Sequence, residues 1–273
     1  MTASAATHAV VPEPLVGATE ERFDDESFEL PYWSRTLAGW RERFVLPFRF
    51  ELASGGPVLE IQQSHTASAE HAKEAKASVD GLATGSTVWD AGVVCAAHVY
   101  ASHRGQAARA GVERRCLDLG SGTGVVGLAA AASGAFSHVM LTDLPSVVSF
   151  MQRNISANRS VTGTTEVLAA ALRWEESADL RAVAAAHGPF DLIVGGDLLY
   201  RPPVVEPLLH ALRALVAPST TVLLAASIQH SPETLRAFVA AAAAAFHVVL
   251  LPFDEQPSEY ASEEVRLLRL TRR

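Results

Sequence analysis

From Val88 onward two kinds of apolar run alternate along the chain. Short runs rich in valine, leucine and isoleucine are separated by longer stretches whose apolar positions recur at helical spacing. The pattern predicts helices over 90–103, 125–133, 146–158, 178–186, 204–215 and 233–245, and strands over 115–119, 138–142, 165–172, 190–194 and 221–225. Two closing strands, 248–251 and 265–270, flank the polar loop 254–263 with no helix between them. Strands alternating with helices make a parallel sheet covered on both faces. A pair joined by a loop alone pairs antiparallel. The expected fold class is therefore α/β: a Rossmann-like, doubly wound seven-strand sheet, mostly parallel, its antiparallel final strand inserted beside the fifth. The helix at 233–245 has a start signal, with Ser231 as N-cap and Pro232 at the first helical position.

Upstream of this core the pattern changes. Phe48, Phe50 and Leu52 alternate with Arg49 and Glu51, then Ser54-Gly55-Gly56-Pro57 makes a turn before Val58-Leu59-Glu60-Ile61. That is the signature of a β-hairpin. Residues 64–78 have no apolar face and read as a surface insertion, with His65 and His71 solvated. Residues 1–28 lack periodicity and end in an acidic cluster from Glu20 to Glu26, as a disordered acidic tail does. The expected organisation is that tail followed by one domain over 29–273. Within it, 29–87 is an N-terminal extension and 88–273 the seven-strand core.

Composition narrows the functions open to such a chain. Its 22 basic and 30 acidic residues give a net charge of −8, opposite to the excess that nucleic-acid phosphates select. Only two cysteines occur, Cys95 and Cys116, too few for a disulfide framework or a cysteine zinc site. His98 and His103 are five apart and read as satisfied residues rather than ligands, so no metal is expected. The longest apolar stretch, Ala237–Leu251, falls short of the ~18 residues of a spanning helix. Met1–Leu15 carries no Lys or Arg, so neither a secretory signal nor a transit peptide is expected. The reading is a cytoplasmic (or nuclear) monomer with no membrane and no nucleic-acid partner.

The strongest local signal is the run from Cys116 to Gly127, CLDLGSGTGVVG, in which a buried strand enters a glycine loop and then a helix. This arrangement presents backbone N–H groups to a nucleotide-like ligand. Asp143 closes the next strand, near the ~20-residue offset of a carboxylate that binds ribose hydroxyls. Gly122 to Gly127 formally matches the dinucleotide fingerprint, so an NAD-dependent oxidoreductase has to be weighed. Against it, Asp118 stands two residues before Gly120, where it can accept hydrogen bonds from loop amides or from an amino-acid ammonium group. S-adenosylmethionine carries such a group and is favoured. No Ser/Tyr/Lys proton relay supports the oxidoreductase.

Four stretches carry a more specific resemblance: Val88-Trp-Asp-Ala91, Leu117-Asp-Leu-Gly-Ser-Gly-Thr-Gly124, Leu172-Arg-Trp174, and Phe190-Asp-Leu-Ile-Val-Gly-Gly-Asp-Leu-Leu-Tyr200. From about Phe48 to Arg273 the chain resembles the seven-strand, S-adenosylmethionine-dependent protein methyltransferases of methyltransferase family 16, the non-SET lysine methyltransferases. The resemblance implies that Trp89, Gly120, Ser121 and Gly122 hold the methionine end of the cofactor. It also implies that Asp143 takes the ribose hydroxyls, that Trp174 lies against the adenine, and that Gly196 contacts the cofactor beside the methyl group. It implies a protein substrate presenting a lysine, and S-adenosylhomocysteine as product.

Asp197 and Tyr200 follow directly on a strand, at the end of the sheet where ligands bind in open α/β folds. They are the catalytic candidates, Asp197 to hold and aim the acceptor amine and Tyr200 to shape its channel. The reaction would be an in-line displacement on a sulfonium methyl group. Ser227-Ile228-Gln229-His230 departs from the family pattern, lacking the acid or Arg that several relatives carry there. The substrate's identity is therefore not carried over. The resemblance, to a family some of whose members methylate Arg or His, keeps those residues or a small molecule as alternative acceptors, and a non-catalytic cofactor-binding adaptor is a third class. The retained Asp197 and Tyr200 argue against the adaptor.

Overall fold

The computed structural model describes residues 33–35, 47–64, 84–106, 113–229 and 231–273. The expected tail (1–28) and most of the expected insertion, including His65 and His71, lie outside the described residues.

Strands β1 (Phe48–Glu51) and β2 (Val58–Ile61) form the expected antiparallel hairpin, Phe48 pairing with Ile61 and Glu51 with Val58. Its alternation has a purpose: Phe50, Leu52, Leu59 and Ile61 are buried against the main core. Helix α1 (Asp90–His103) is apolar on nearly every side and is accordingly buried over most of its length. There follow β3 (Arg115–Leu119), α2 (Val125–Ala132), β4 (His138–Asp143), α3 (Pro145–Ala157), the short α4 (Arg159–Thr162), β5 (Glu166–Ala171) and α5 (Ser177–His187). The chain continues through β6 (Leu192–Gly196), a 3-10 turn at Pro202–Val204, α6 (Val205–Leu215), β7 (Thr221–Ser227), α7 (Pro232–Ala242), β8 (Phe246–Leu250) and β9 (Val265–Arg272).

The seven-strand sheet has the order β5-β4-β3-β6-β7-β9-β8. The pairs from β5 to β7 are parallel, and β9 lies antiparallel between β7 and β8. The final strand thus sits beside the fifth strand of the sheet, as expected, and pairs antiparallel with β8, as the loop-only connection predicts. Strand residues alternate between two cores. Cys116, Val139, Leu141 and Val194 face α1, α2, α3 and the hairpin, whereas Leu117, Leu119, Met140 and Ile193 face α5, α6 and α7.

Three local expectations change. The strand expected to end at Val194 begins later and runs on through Gly195 and Gly196, which pair with Leu224 and Ala225. Helix α4 was hidden in a four-residue segment too short to show a period. Ser231 does occupy the N-cap position of α7, but its hydroxyl caps no backbone group. It is bonded instead to the side chains of Glu233 and Thr234.

Candidate active site

At the carboxyl ends of β3, β4 and β6 the structure opens a cavity of about 430 Å³. All ten residues singled out from the sequence line it: Trp89, Asp118, Gly120, Ser121, Gly122, Asp143, Trp174, Gly196, Asp197 and Tyr200.

The floor is the loop between β3 and α2. Gly120 adopts φ +58°, and a β-carbon there would lie 2.7 Å from Leu198 Cδ2 and 3.0 Å from Trp174 Cζ2. Only glycine meets both demands, and the Trp174 ring edge is thereby brought onto the loop. Ser121 ties the loop to the sheet: its N–H donates to the Thr142 carbonyl at 2.9 Å, and its hydroxyl donates to the Asp118 carbonyl at 2.9 Å. The same hydroxyl accepts the Thr142 N–H at 3.0 Å, so Ser121 holds the loop's shape with its side chain.

Two carboxylates hold the loop from below. Asp143 Oδ2 accepts the Gly122 N–H at 2.7 Å, and Oδ1 accepts the Leu144 N–H at 2.7 Å. Asp118 is 1% exposed, and its Oδ2 accepts the Gly127 N–H in the first turn of α2 at 2.8 Å. Burial pushes its carboxyl up to about 7; the bonds from Gly127 and Ser121 pull it down, and Asp143 adds a smaller push upward.

The opposite wall comes from the segment before α1. Trp89 donates its indole N–H to the Thr84 carbonyl at 3.2 Å. A β-carbon at Gly85 would lie 3.4 Å from Gly122 Cα, so this segment packs directly on the loop. Thr84, Gly85 and Thr87 also line the cavity and escaped the sequence reading. The one available signal was a glycine four residues before Trp89.

Asp197 is the one non-glycine residue among those described with a left-handed backbone, φ +61°. Its N–H donates to the Ala225 carbonyl at 2.8 Å, and its Oδ1 accepts the Ser227 N–H at 3.1 Å. The residue therefore bridges the ends of β6 and β7 while remaining 7% exposed at the cavity. Gly196 beside it permits close approach of α1, since a β-carbon would lie 2.8 Å from Gly92 Cα. Gln229 is exposed and does not line the cavity; His230 lies outside the described residues.

His98 Nδ1 meets the Glu255 carbonyl and His103 Nδ1 the Val99 carbonyl, each at 2.9 Å, so both are satisfied locally. Cys95 and Cys116 are buried free thiols, and burial raises the pKa of both. Among the described residues no group of three His, Cys, Asp or Glu side chains is placed to hold a metal ion. None of the described helices is long and apolar enough to cross a membrane.

The lysine methyltransferase family model matches residues 71–242, more than half of the chain. This chain belongs to the lysine methyltransferase family. It is 32% identical over 152 residues to the protein N-lysine methyltransferase METTL21A of Danio rerio, covering 56% of this chain and 65% of that protein. It is 34% identical over 144 residues to the EEF1A lysine methyltransferase 3 of Mus musculus, covering 52% of this chain and 57% of that protein. The matches thus span less than two thirds of either relative.

The cavity fits the methyl donor that the resemblance to this family implies. Its lining carries four carboxyl groups, Asp118, Asp143, Glu175 and Asp197, against one guanidinium, Arg201. Such a lining suits S-adenosylmethionine, which bears an ammonium and a sulfonium centre, and opposes the pyrophosphate of a dinucleotide. At Gly120 and Gly196 the place a β-carbon would take is held by Leu198, Trp174 and Gly92, which close-pack the cavity wall.

Proposed function

We propose that this chain transfers a methyl group from S-adenosylmethionine to a lysine side chain of a partner protein. The observation that carries the reading is the acidic lining, which unites the glycine loop, Asp143 and Trp174 with the Asp197–Tyr200 segment around one cavity. Family membership supports it.

S-adenosylmethionine supplies an electrophilic methyl group on a sulfonium. Asp143 binds the hydroxyl pair of the ribose, the Trp174 indole offers a flat face to the purine, and the Asp118–Gly122 strip receives the amino-acid end. A lysine nucleophile must be neutral, and shedding its proton at pH 7 costs about 4.6 kcal/mol from a free pKa of ~10.4. Desolvation at the cavity lowers that cost, whereas the Asp197 carboxylate raises it. Asp197 therefore holds and aims the amine, fixed by its bond from Ser227, and Tyr200 shapes the channel.

The same reading takes residues 29–273 as one catalytic domain, supported by the compact unit Pro31–Arg273. Two buried free thiols are compatible with the reducing cytoplasm. Calorimetry tests the cofactor directly: S-adenosylhomocysteine should bind saturably and NAD should not. Binding of NAD alone would overturn the reading.

A further inference from the structure

Asn154 and Asn158 are almost fully buried, 0% and 1% exposed, yet neither lines the cavity. They stand four residues apart at the end of α3, about 6 Å on one helix face. Glu60 and Gln62 stand two residues apart at the end of the hairpin, about 6.7 Å in extended chain. The two spacings match, and the amides pair accordingly. Asn158 Oδ1 accepts the Glu60 N–H at 2.8 Å, and its Nδ2 donates to the Glu60 carbonyl at 2.9 Å. Asn154 Oδ1 accepts the Gln62 N–H at 2.8 Å, and its Nδ2 donates to the Gln62 carbonyl at 3.2 Å. Helix α3 thus offers two carboxamides where a third strand would offer backbone.

The two asparagines differ in their remaining bond. Asn158 Nδ2 also donates to the Asn154 carbonyl, within its own helix, at 2.8 Å. Asn154 Nδ2 donates instead to the Thr123 carbonyl in the cavity's glycine loop, at 2.8 Å. Next to Gln62, the Gln63 Oε1 accepts the Val88 N–H and the Thr87 hydroxyl, both at 3.0 Å. Thr87, Val88 and Thr123 all line the cavity. Residues 62 and 63 therefore hold the two facing walls of the cavity together from outside.

We propose that Asn154 is a positioning residue for cofactor binding, setting the Thr123 loop against the 84–89 wall through the end of the N-terminal hairpin. The hairpin is then a working part of the cofactor site and not an appendage. The inference rests on the cofactor reading above.

A matched pair of variants tests it. Asn154→Leu and Asn158→Leu keep the branched skeleton of the native side chain, carry the same enlargement, and each remove one acceptor and two donated bonds. Both should lower the melting temperature by similar amounts. Asn154→Leu should weaken S-adenosylhomocysteine binding roughly tenfold or more, the effect of one buried carbonyl left unpaired in the loop. Asn158→Leu should stay within about threefold of the native protein. Equal weakening in both, or none in Asn154→Leu, would overturn the inference while the cofactor reading stands. A native chain that binds no S-adenosylhomocysteine would overturn both. Should a variant not fold, amide exchange in the native chain decides: the ligand should slow exchange at the Gln62 N–H, and unchanged exchange there would overturn the coupling.

Discussion

Asp197 meets two demands at one position, because its left-handed backbone and its bond from Ser227 are structural while the residue also lines the cavity. Asparagine tolerates the left-handed region and can still accept the Ser227 N–H. Asp197→Asn should therefore keep stability within about 0.5 kcal/mol and S-adenosylhomocysteine affinity within about threefold. Its methylation rate should fall roughly a hundredfold, about 2.7 kcal/mol, with loss of amine positioning. Asp197→Ala should lose activity equally and destabilise the fold as well, by roughly 1–2 kcal/mol. Full activity in Asp197→Asn would remove this residue from the acceptor site. Asp118 supplies a pH test. Burial raises its folded-state value from 3.8 to about 7, so the native state holds a proton that the unfolded chain has lost. Its contribution to stability is complete below about pH 4 and is lost as pH rises through about 7. Chemical denaturation across that range should show Asp118→Asn gaining on the native protein, by an amount on the order of 4 kcal/mol, then levelling off. A constant difference would contradict the shift. The placement of Asp118 and Asp143 at the cavity was legible from residue type and spacing. The use of the Ser121 hydroxyl was not, because it depends on Thr142 in a neighbouring strand, 21 residues away.

At the scale of elements, β6 shows how composition misleads. Gly195 and Gly196 read as the start of a loop, since glycine is depleted in strands. They nevertheless pair with β7, because α1 packs so closely on the strand end that no side chain fits at Gly196. Gly196→Ala must shift the α1 backbone at Gly92. It should cost about 1–3 kcal/mol in unfolding free energy and weaken S-adenosylhomocysteine binding. Unchanged values for both would show that the approach is not required. The hairpin was legible for the opposite reason: strict alternation and a Gly-Gly-Pro turn are local signals. Its seat on Asn154 and Asn158 carries no such signal, as each partner lies more than ninety residues from the other.

At the scale of the molecule, the order of strands and helices alone indicated the sheet, including β9 between β7 and β8. The place of the cavity followed, since the glycine loop, Asp143 and Asp197 all stand at the carboxyl ends of parallel strands. What only the structure reveals is their convergence with the 84–89 segment into one acidic cavity. The central claim, methyl transfer to protein lysine, is tested most directly by incubating the purified chain with methyl-labelled S-adenosylmethionine and a cell extract lacking the enzyme. The account predicts label on a protein, recovered as methylated lysine after complete hydrolysis and absent with Asp197→Asn. Label recovered only on arginine, histidine, nucleic acid or a small molecule, or label undiminished with Asp197→Asn, would contradict it.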